Sequence, residues 1–410
     1  MGVLAIVALL VCAGGAHAVA ATGSHAAIAI QSDADFASCG CRTGGSGTAS
    51  DPYIIGPWSI NNVGGAAVSI DGTVLTKSFT LSNLTIAGNG ASTETGIVLN
   101  HINLGGSPAI TAKVYGVQTS IQTNNVGILV ENSSYVTLDG AGANPNGPGV
   151  AATGAGTINK NASGAIDVES SSHVTVTGWQ MSANGVDGSP DWVAFDPAVS
   201  NWAVGGIRFF GVTDSTIDHN AANNDTSISF SLFDSSYNTL SNNTSHYPFT
   251  MNYLLTDGSS YNTVTGNQSG TGDFIDVLVA DPLPGTPTLA TYGASHDNLI
   301  SGNQTNNDGP IGNETHAGIV PAFLGAIVVL NGTYNNTISN NAIGSATGGG
   351  LVWAQAVQSS SPTLDVVAYP PVLHCNVTAS EGGGGIAKLN GNVWIGNTSI
   401  KPIDSCIPAQ

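Results

Sequence analysis

Three groups of residues in this sequence have the types and spacing for acid–base or ion chemistry. Asp187, Asp191 and Asp196 lie in one short stretch with Trp192 and Trp202. Paired Asp carboxylates serve as acid and base in glycoside hydrolysis, roughly 6.5–9.5 Å apart when the reaction inverts. Indole faces stack on sugar rings, and carboxylates bind hydroxyls or Ca²⁺. Asp273, Asp276 and Asp281 form a second acidic group. In both, solvated acids on an ordinary loop, with Trp packed on the chain beneath, are the simpler reading. The third group is Arg208 with Asp218-His219-Asn220 one strand later. Proton abstraction beside a uronate carboxylate wants such a cation next to an acid, with the carboxylate neutralised by Ca²⁺ or a second base. No second Arg stands nearby, which leaves Arg208 as a lone surface cation beside an outward Asp. The nine His are dispersed, with only His296 and His316 near each other, so no imidazole set for copper or zinc is expected. No cofactor is expected, Ca²⁺ being the one ion these acids could take.

The elements that would position such groups must be built from unusual material. The 410 residues are 41% hydrophobic but only 8% charged, with Asn, Ser, Thr and Gly filling the polar positions. Seven Lys and Arg against 26 Asp and Glu give a net charge of -19. Phosphate neutralisation needs clustered cations, so nucleic acid and anionic membrane surfaces are excluded as partners. Residues 1–18 read as a secretion signal, with an apolar run from Val3 to Val11 and Ala16-His17-Ala18 as the cleavage site. An extracellular or cell-surface location follows, with no membrane span in the mature chain. Export favours disulfides. Cys375–Cys406 is the expected bridge; Cys39 and Cys41 either close a strained ring with each other or reach another partner, and the sequence leaves that open.

Seven segments superimpose without gaps, among them Val130-ENSSYVT-Leu138, Val168-ESSSHVT-Val176, Leu232-FDSSYNT-Leu240 and Leu330-NGTYNNT-Ile338. Each places two mostly apolar residues eight apart around a small, Ser-rich corner. The closing residues Leu138, Val176, Ile217, Leu240, Val264, Ile300 and Ile338 are spaced by 38, 41, 23, 24, 36 and 38. The short intervals fit one solenoid coil; the long ones need a second, degenerate coil or an inserted loop. Asn220, Asn243, Asn267, Asn303 and Asn341 each stand three residues after a closing residue. Asn tolerates the left-handed corner, and stacked amides can bond from coil to coil as a ladder.

The Ser-x-x-Asn-Thr-(Ile/Leu/Val)-Ser-x-Asn coils, such as Ser235 to Asn243, resemble those of the NosD-like, or CASH (carbohydrate-binding and sugar-hydrolysis), family of right-handed parallel β-helices. Gly205-Gly206-Ile207 and the lead-in Gly47 to Ile55 are similar as well. The resemblance covers about residues 44–400 and implies an all-β, single-domain, right-handed parallel β-helix. It leaves function open, because members include polysaccharide-active enzymes, metallocentre-assembly proteins and non-catalytic surface proteins.

On this layout 19–57 is an N-terminal lead-in and cap, 58–400 the helix and 401–410 a tail. At about 23 residues per coil that is roughly 14 coils and about 70 Å. Insertions are expected at Asn144 to Asn161, Asp187 to Trp202 and Asp281 to Thr291. Of thirteen Asn-x-Ser/Thr sequons, Asn83, Asn132, Asn161, Asn224, Asn313, Asn331, Asn376 and Asn397 are the outward candidates for glycosylation. Sparse charge removes repulsion between neighbouring molecules. It points to a non-catalytic structural protein that self-associates or contacts extracellular polysaccharide. The rival is a polysaccharide-active lyase, epimerase or hydrolase. A groove with a buried Arg–Asp pair or paired carboxylates would favour the enzyme; a featureless rod wall with exposed end coils would favour assembly.

Overall fold

The computed structural model describes residues 23–62, 64–140, 155–185, 205–225, 228–246, 248, 251–270, 275–279, 293–305, 325–330, 333–344, 349–354, 392–395 and 397–399. These form a right-handed parallel β-helix of three long sheets, with 11, 12 and 12 strands. One coil shows the plan. Ile228–Phe233 lies in the first sheet, Thr239–Ser241 in the second and Thr244–His246 in the third. Each strand pairs in parallel with the equivalent strand one coil on. The single described α-helix is Asp35–Ser38, and one 3-10 turn spans Gly72–Val74. The lead-in strands Gly23–Ser24 and Ile28–Ile30 already pair with the third and first sheets.

The two-residue period of a strand sends alternate side chains inward. Leu138, Val176, Ile217, Leu240, Val264, Ile300 and Ile338 pair in succession as one inner row, all of them fully buried. Consecutive members of this row are therefore one coil apart even where the spacing is 36–41 residues. Every long interval is one coil lengthened by extra residues, and among the described residues the second sheet has 12 strands, of which Arg42–Gly44 is an antiparallel strand of the lead-in, where fourteen coils were expected. Eleven steps of about 4.8 Å make a rod of about 50 Å, not 70.

Buried amides hold the corners. Asn220, Asn243, Asn267, Asn303, Asn341 and Asn397 each pass an Nδ2 hydrogen to the Oδ1 of the next, at 2.8–3.1 Å. Each Oδ1 also accepts the backbone N–H of the preceding Asn, and each Nδ2 reaches a carbonyl in the coil below. Asn238, Asn262, Asn298, Asn336 and Asn392 repeat the arrangement at the corner between the first two sheets. A third ladder runs Asn62, Asn124, Asn161, Asn184 and then Asp225. A neutral hydrogen bond contributes about 1 kcal/mol net, but an orphaned buried group costs about 1–3, so this regular satisfaction is what the fold needs.

Two of the proposed glycan sites are overturned here. Asn161 and Asn397 are 0% and 4% exposed inside ladders and cannot carry a glycan. Asn132 and Asn224 are exposed and Asn83 half-buried. Asn313, Asn331 and Asn376 lie outside the described residues. The question left open for Cys39 and Cys41 is answered, because they form a disulfide with each other. Gly40 between them takes a φ of +65°, open to glycine, which brings the two Cα atoms to 5.1 Å. Cys375 and Cys406 lie outside the described residues.

Candidate active site

Among the described strands of the first sheet, charges of both signs come together on the outer face at Asp167, Glu169 and Arg208; Asp71, with His101, and Asp276 lie on other coils. In Gly164–Glu169 the inward Ile166 and Val168 are fully buried, and Asp167 and Glu169 alternate with them on the outside. In Ile207–Phe210, one coil on, Ile207 and Phe209 point inward and Arg208 outward. Register places Asp167 directly beside Arg208 and Glu131 beside Glu169.

Arg208 is not the surface cation the sequence suggested: it is 6% exposed. Its Nε donates to Asp167 Oδ1 at 2.8 Å, and its Nη2 donates to both Asp167 Oδ2 and Glu169 Oε1. A guanidinium fork matches a carboxylate in this bidentate way. Burial would weaken the guanidinium's hold on its proton, but Asp167 and Glu169 raise its pKa above the ordinary value. Burial also pushes the Glu169 carboxyl above its usual range, with Asp167 and Glu131 adding to that and Arg208 opposing it. Two carboxyl groups on one guanidinium, with a third acid beside them, cannot all ionise cheaply. One carboxyl thus holds a proton at higher pH than a free carboxylic acid. That is the division of labour an acid–base pair needs.

The other sequence candidates are not brought to this place. Asp218 and His219 lie on the second sheet, around a corner from Arg208. Asp218 accepts from His219 Nδ1, from Ser241 Oγ at 2.7 Å and from Asn242 Nδ2 at 3.0 Å. Burial raises its pKa, yet these bonds outweigh that and hold it below the usual value, an ionised group already saturated. Asp276 is 0% exposed and accepts from Asn252 Nδ2 at 2.7 Å; its charge adds to burial in raising the pKa of the buried Tyr253. Its former companions Asp273 and Asp281 lie outside the described residues, as do Asp187, Asp191, Trp192, Asp196, Trp202 and His316. His296 pairs with Asp297 at 2.8 Å and stacks on Tyr334. Among the described residues no group of three or more His, Cys, Asp or Glu is arranged to hold a metal.

Sequence reasoning missed Asp167 and Glu169, although a signal existed. Asp167 precedes Arg208 by 41 residues, the same offset that separates the inner residues Val176 and Ile217. The repeat register therefore pairs the two, and the Ile-Asp-Val-Glu alternation puts both acids on one face.

No protein-family model matches the chain, and no curated protein matches it either. Solved structures do. A DFA-IIIase from Arthrobacter chlorophenolicus, solved with DFA-III, is 15% identical with a TM-score of 0.43, over 84% of this chain and 70% of that one. Against another structure of that enzyme the chain spans less than two thirds of the length, 64%, at 15% identity, covering 75% of this chain with a TM-score of 0.40. An alginate lyase from Paenibacillus sp. is 10% identical over 82% of this chain and 98% of that one, with a TM-score of 0.35. A periplasmic alginate epimerase is 12% identical over 86% and 75%, with a TM-score of 0.32. At these values the likeness speaks to architecture.

The expectation of a non-catalytic structural protein is corrected here: it went with a featureless rod wall, and this wall carries a buried Arg with paired carboxylates.

Proposed function

We propose that this protein is a carbohydrate-active enzyme, with its reacting groups on the outer face of the first sheet at Asp167, Glu169 and Arg208. The observation that carries this reading is the pair of carboxyl groups on one buried guanidinium. Glu169 is the proton donor. Asp167, gripped by the fork of Arg208, is the base or the anion that stabilises positive charge developing on the sugar ring. Arg208 fixes both side chains, so that little ordering remains to be done in the transition state.

Charge separates hydrolysis from uronate lyase or epimerase chemistry. Glu131, Asp167 and Glu169 outnumber Arg208, in a chain with a net charge of -19. A uronate carboxylate brought there meets repulsion, while a neutral sugar meets hydrogen-bond acceptors. We therefore infer a hydrolase or transferase of neutral glycans, acting outside the cell. The apolar stretch from Val3 to Val11 and the Ala16-His17-Ala18 site support export. The Ser-x-x-Asn-Thr coils support placing the chain among NosD-like, CASH proteins.

The reading is tested by product analysis on neutral fructans and glucans beside alginate and pectate. Cleavage of a neutral glycan that Glu169→Gln lowers by about 10²-fold or more is expected, since general acid catalysis contributes that much. Turnover of uronates alone overturns the neutral-substrate assignment. Turnover that both Glu169→Gln and Asp167→Asn leave intact overturns the site.

A further inference from the structure

The corner between the first and second sheets carries a stack of rings with one rung missing. Tyr135, His173, Asp214, Tyr237 and Tyr261 occupy equivalent places in five consecutive coils, all with φ between +52° and +61°. Tyr135 stacks on His173 at 4.5 Å between ring centres, and Tyr237 stacks on Tyr261 at 4.9 Å. Asp214 stands where the ring between these two pairs would be. Its backbone keeps the corner's ladder, with His173 N–H donating to Thr213 O and Asp214 N–H donating to Ser236 O. His173, Asp214 and Tyr237 are all exposed, Tyr237 by 58%. The Asp214 carboxylate makes no hydrogen bond or ion pair with the described residues.

Two coil steps separate the His173 and Tyr237 rings, about 10 Å. A ring seated midway lies about 5 Å from each, inside the 4.5–7 Å range over which stacked rings attract. The outward faces of His173 and Tyr237 thus form two walls of a slot one ring thick, with a carboxylate as its floor. We propose that this slot binds one sugar ring of a glycan. The C–H faces of the sugar meet the two aromatic walls, and its hydroxyls donate to Asp214. A planar apolar ring would desolvate that carboxylate without giving it a donor, which a sugar does not. The slot also adjoins the candidate active site. His173 follows Glu169 by four residues and Asp214 follows Arg208 by six, in the same two coils. The proposal deepens the carbohydrate reading and rests on it for the choice of a sugar over a cation.

The test fills the gap. Asp214→Tyr supplies the missing rung in a corner where Tyr237 and Tyr261 already accept the same backbone, so the variant should unfold no earlier than wild type. Binding of cellohexaose, maltohexaose, inulin oligomers and choline is measured by calorimetry, with the ring C–H signals of His173 followed by NMR. Wild type should bind at least one of the oligosaccharides and shift the His173 signals. Asp214→Tyr should weaken that binding about tenfold or more, and His173→Ala should weaken it as well, by loss of a stacking wall. Equal binding by wild type and Asp214→Tyr overturns the slot, as does wild type that binds none of the oligosaccharides, or binds choline alone. Binding needs no turnover, so the two readings fail separately. Wild type that binds but never turns over sinks the catalytic reading, provided Glu169→Gln binds equally. Turnover with binding unchanged in Asp214→Tyr sinks the slot alone.

Discussion

The asparagine corners and the Arg208 face both bury polar groups, and they do so by opposite rules. At the corners each amide meets an identical neighbour, and the pattern repeats from Asn220 to Asn397 with every rung satisfied. At the face a single Arg serves two acids, in one pair of coils, and one acid is pushed toward its protonated form. Repetition is what a solenoid needs to stand up, because each coil buries itself on the next. A charged cluster that occurs once adds nothing to that repeat and is costly to bury. On the function proposed above, it is the place where the molecule does chemistry rather than where it holds together.

The sharpest way to break this contrast is to remove its charge. Arg208→Ala leaves two carboxylates facing each other without a counter-ion, and losing one partner of a buried pair costs about 3–5 kcal/mol. Urea unfolding should show that loss, reduced near pH 4 where the freed acids protonate. A change within 0.5 kcal/mol, about the noise of a neutral surface substitution, would mean that the cluster is exposed and unimportant.

Next in size is the ladder. Asn243→Ala removes an amide bonded to Asn220 and Asn267 and strands backbone groups around it, for a loss of about 1–3 kcal/mol. Gln122→Ala, at an exposed strand position, should be within about 0.5 kcal/mol of neutral. If the two variants unfold at the same urea concentration, the corners are not what holds the coils in register.

Asp225 sharpens the comparison because it stands at a ladder's end. It accepts from the backbone N–H and Nδ2 of Asn184, and burial raises its pKa to about 7, its hydrogen bonds to Asn184 only partly offsetting this. The folded state therefore holds the proton more tightly than the unfolded chain. Its contribution is full below about pH 3.8 and is lost as pH rises to about 7. Asp225→Asn, which completes the ladder with an amide, should raise stability at pH 8 by about 1–3 kcal/mol and leave pH 3.5 nearly unchanged. An equal effect at both pH values would show that Asp225 does not titrate in this range.

Much of the fold was legible in the sequence because its signals repeat. The rule that a buried amide follows an inner residue by three places holds for Asn220 to Asn341. It holds also for Asn124, Asn161 and Asn184 after Ile121, Ile158 and Met181, and for Asn397 after Trp394. Carried to Ile158 and Trp394, the same rule puts Asn161 and Asn397 inside ladders rather than among the outward sequons. The coil count failed for a physical reason: an insertion lengthens the interval between inner residues without adding a rung. Arg208 was the harder case. Its partners lie 41 and 39 residues earlier, and nothing local in Ile207-Arg208-Phe209 signals them. Only the register, once insertions are recognised as such, puts them side by side.

The most direct test of the contrast is a crossed measurement of turnover and urea midpoint on Glu169→Gln and Asn243→Ala. Substrate is the neutral glycan that wild type cleaves best. Glu169→Gln should lose about 10²-fold or more in kcat while its stability stays within about 1 kcal/mol of wild type. Asn243→Ala should do the reverse, unfolding earlier while keeping wild-type kcat wherever it is folded. Glu169→Gln with wild-type kcat, or an Asn243→Ala that is fully stable but inactive, would contradict the contrast.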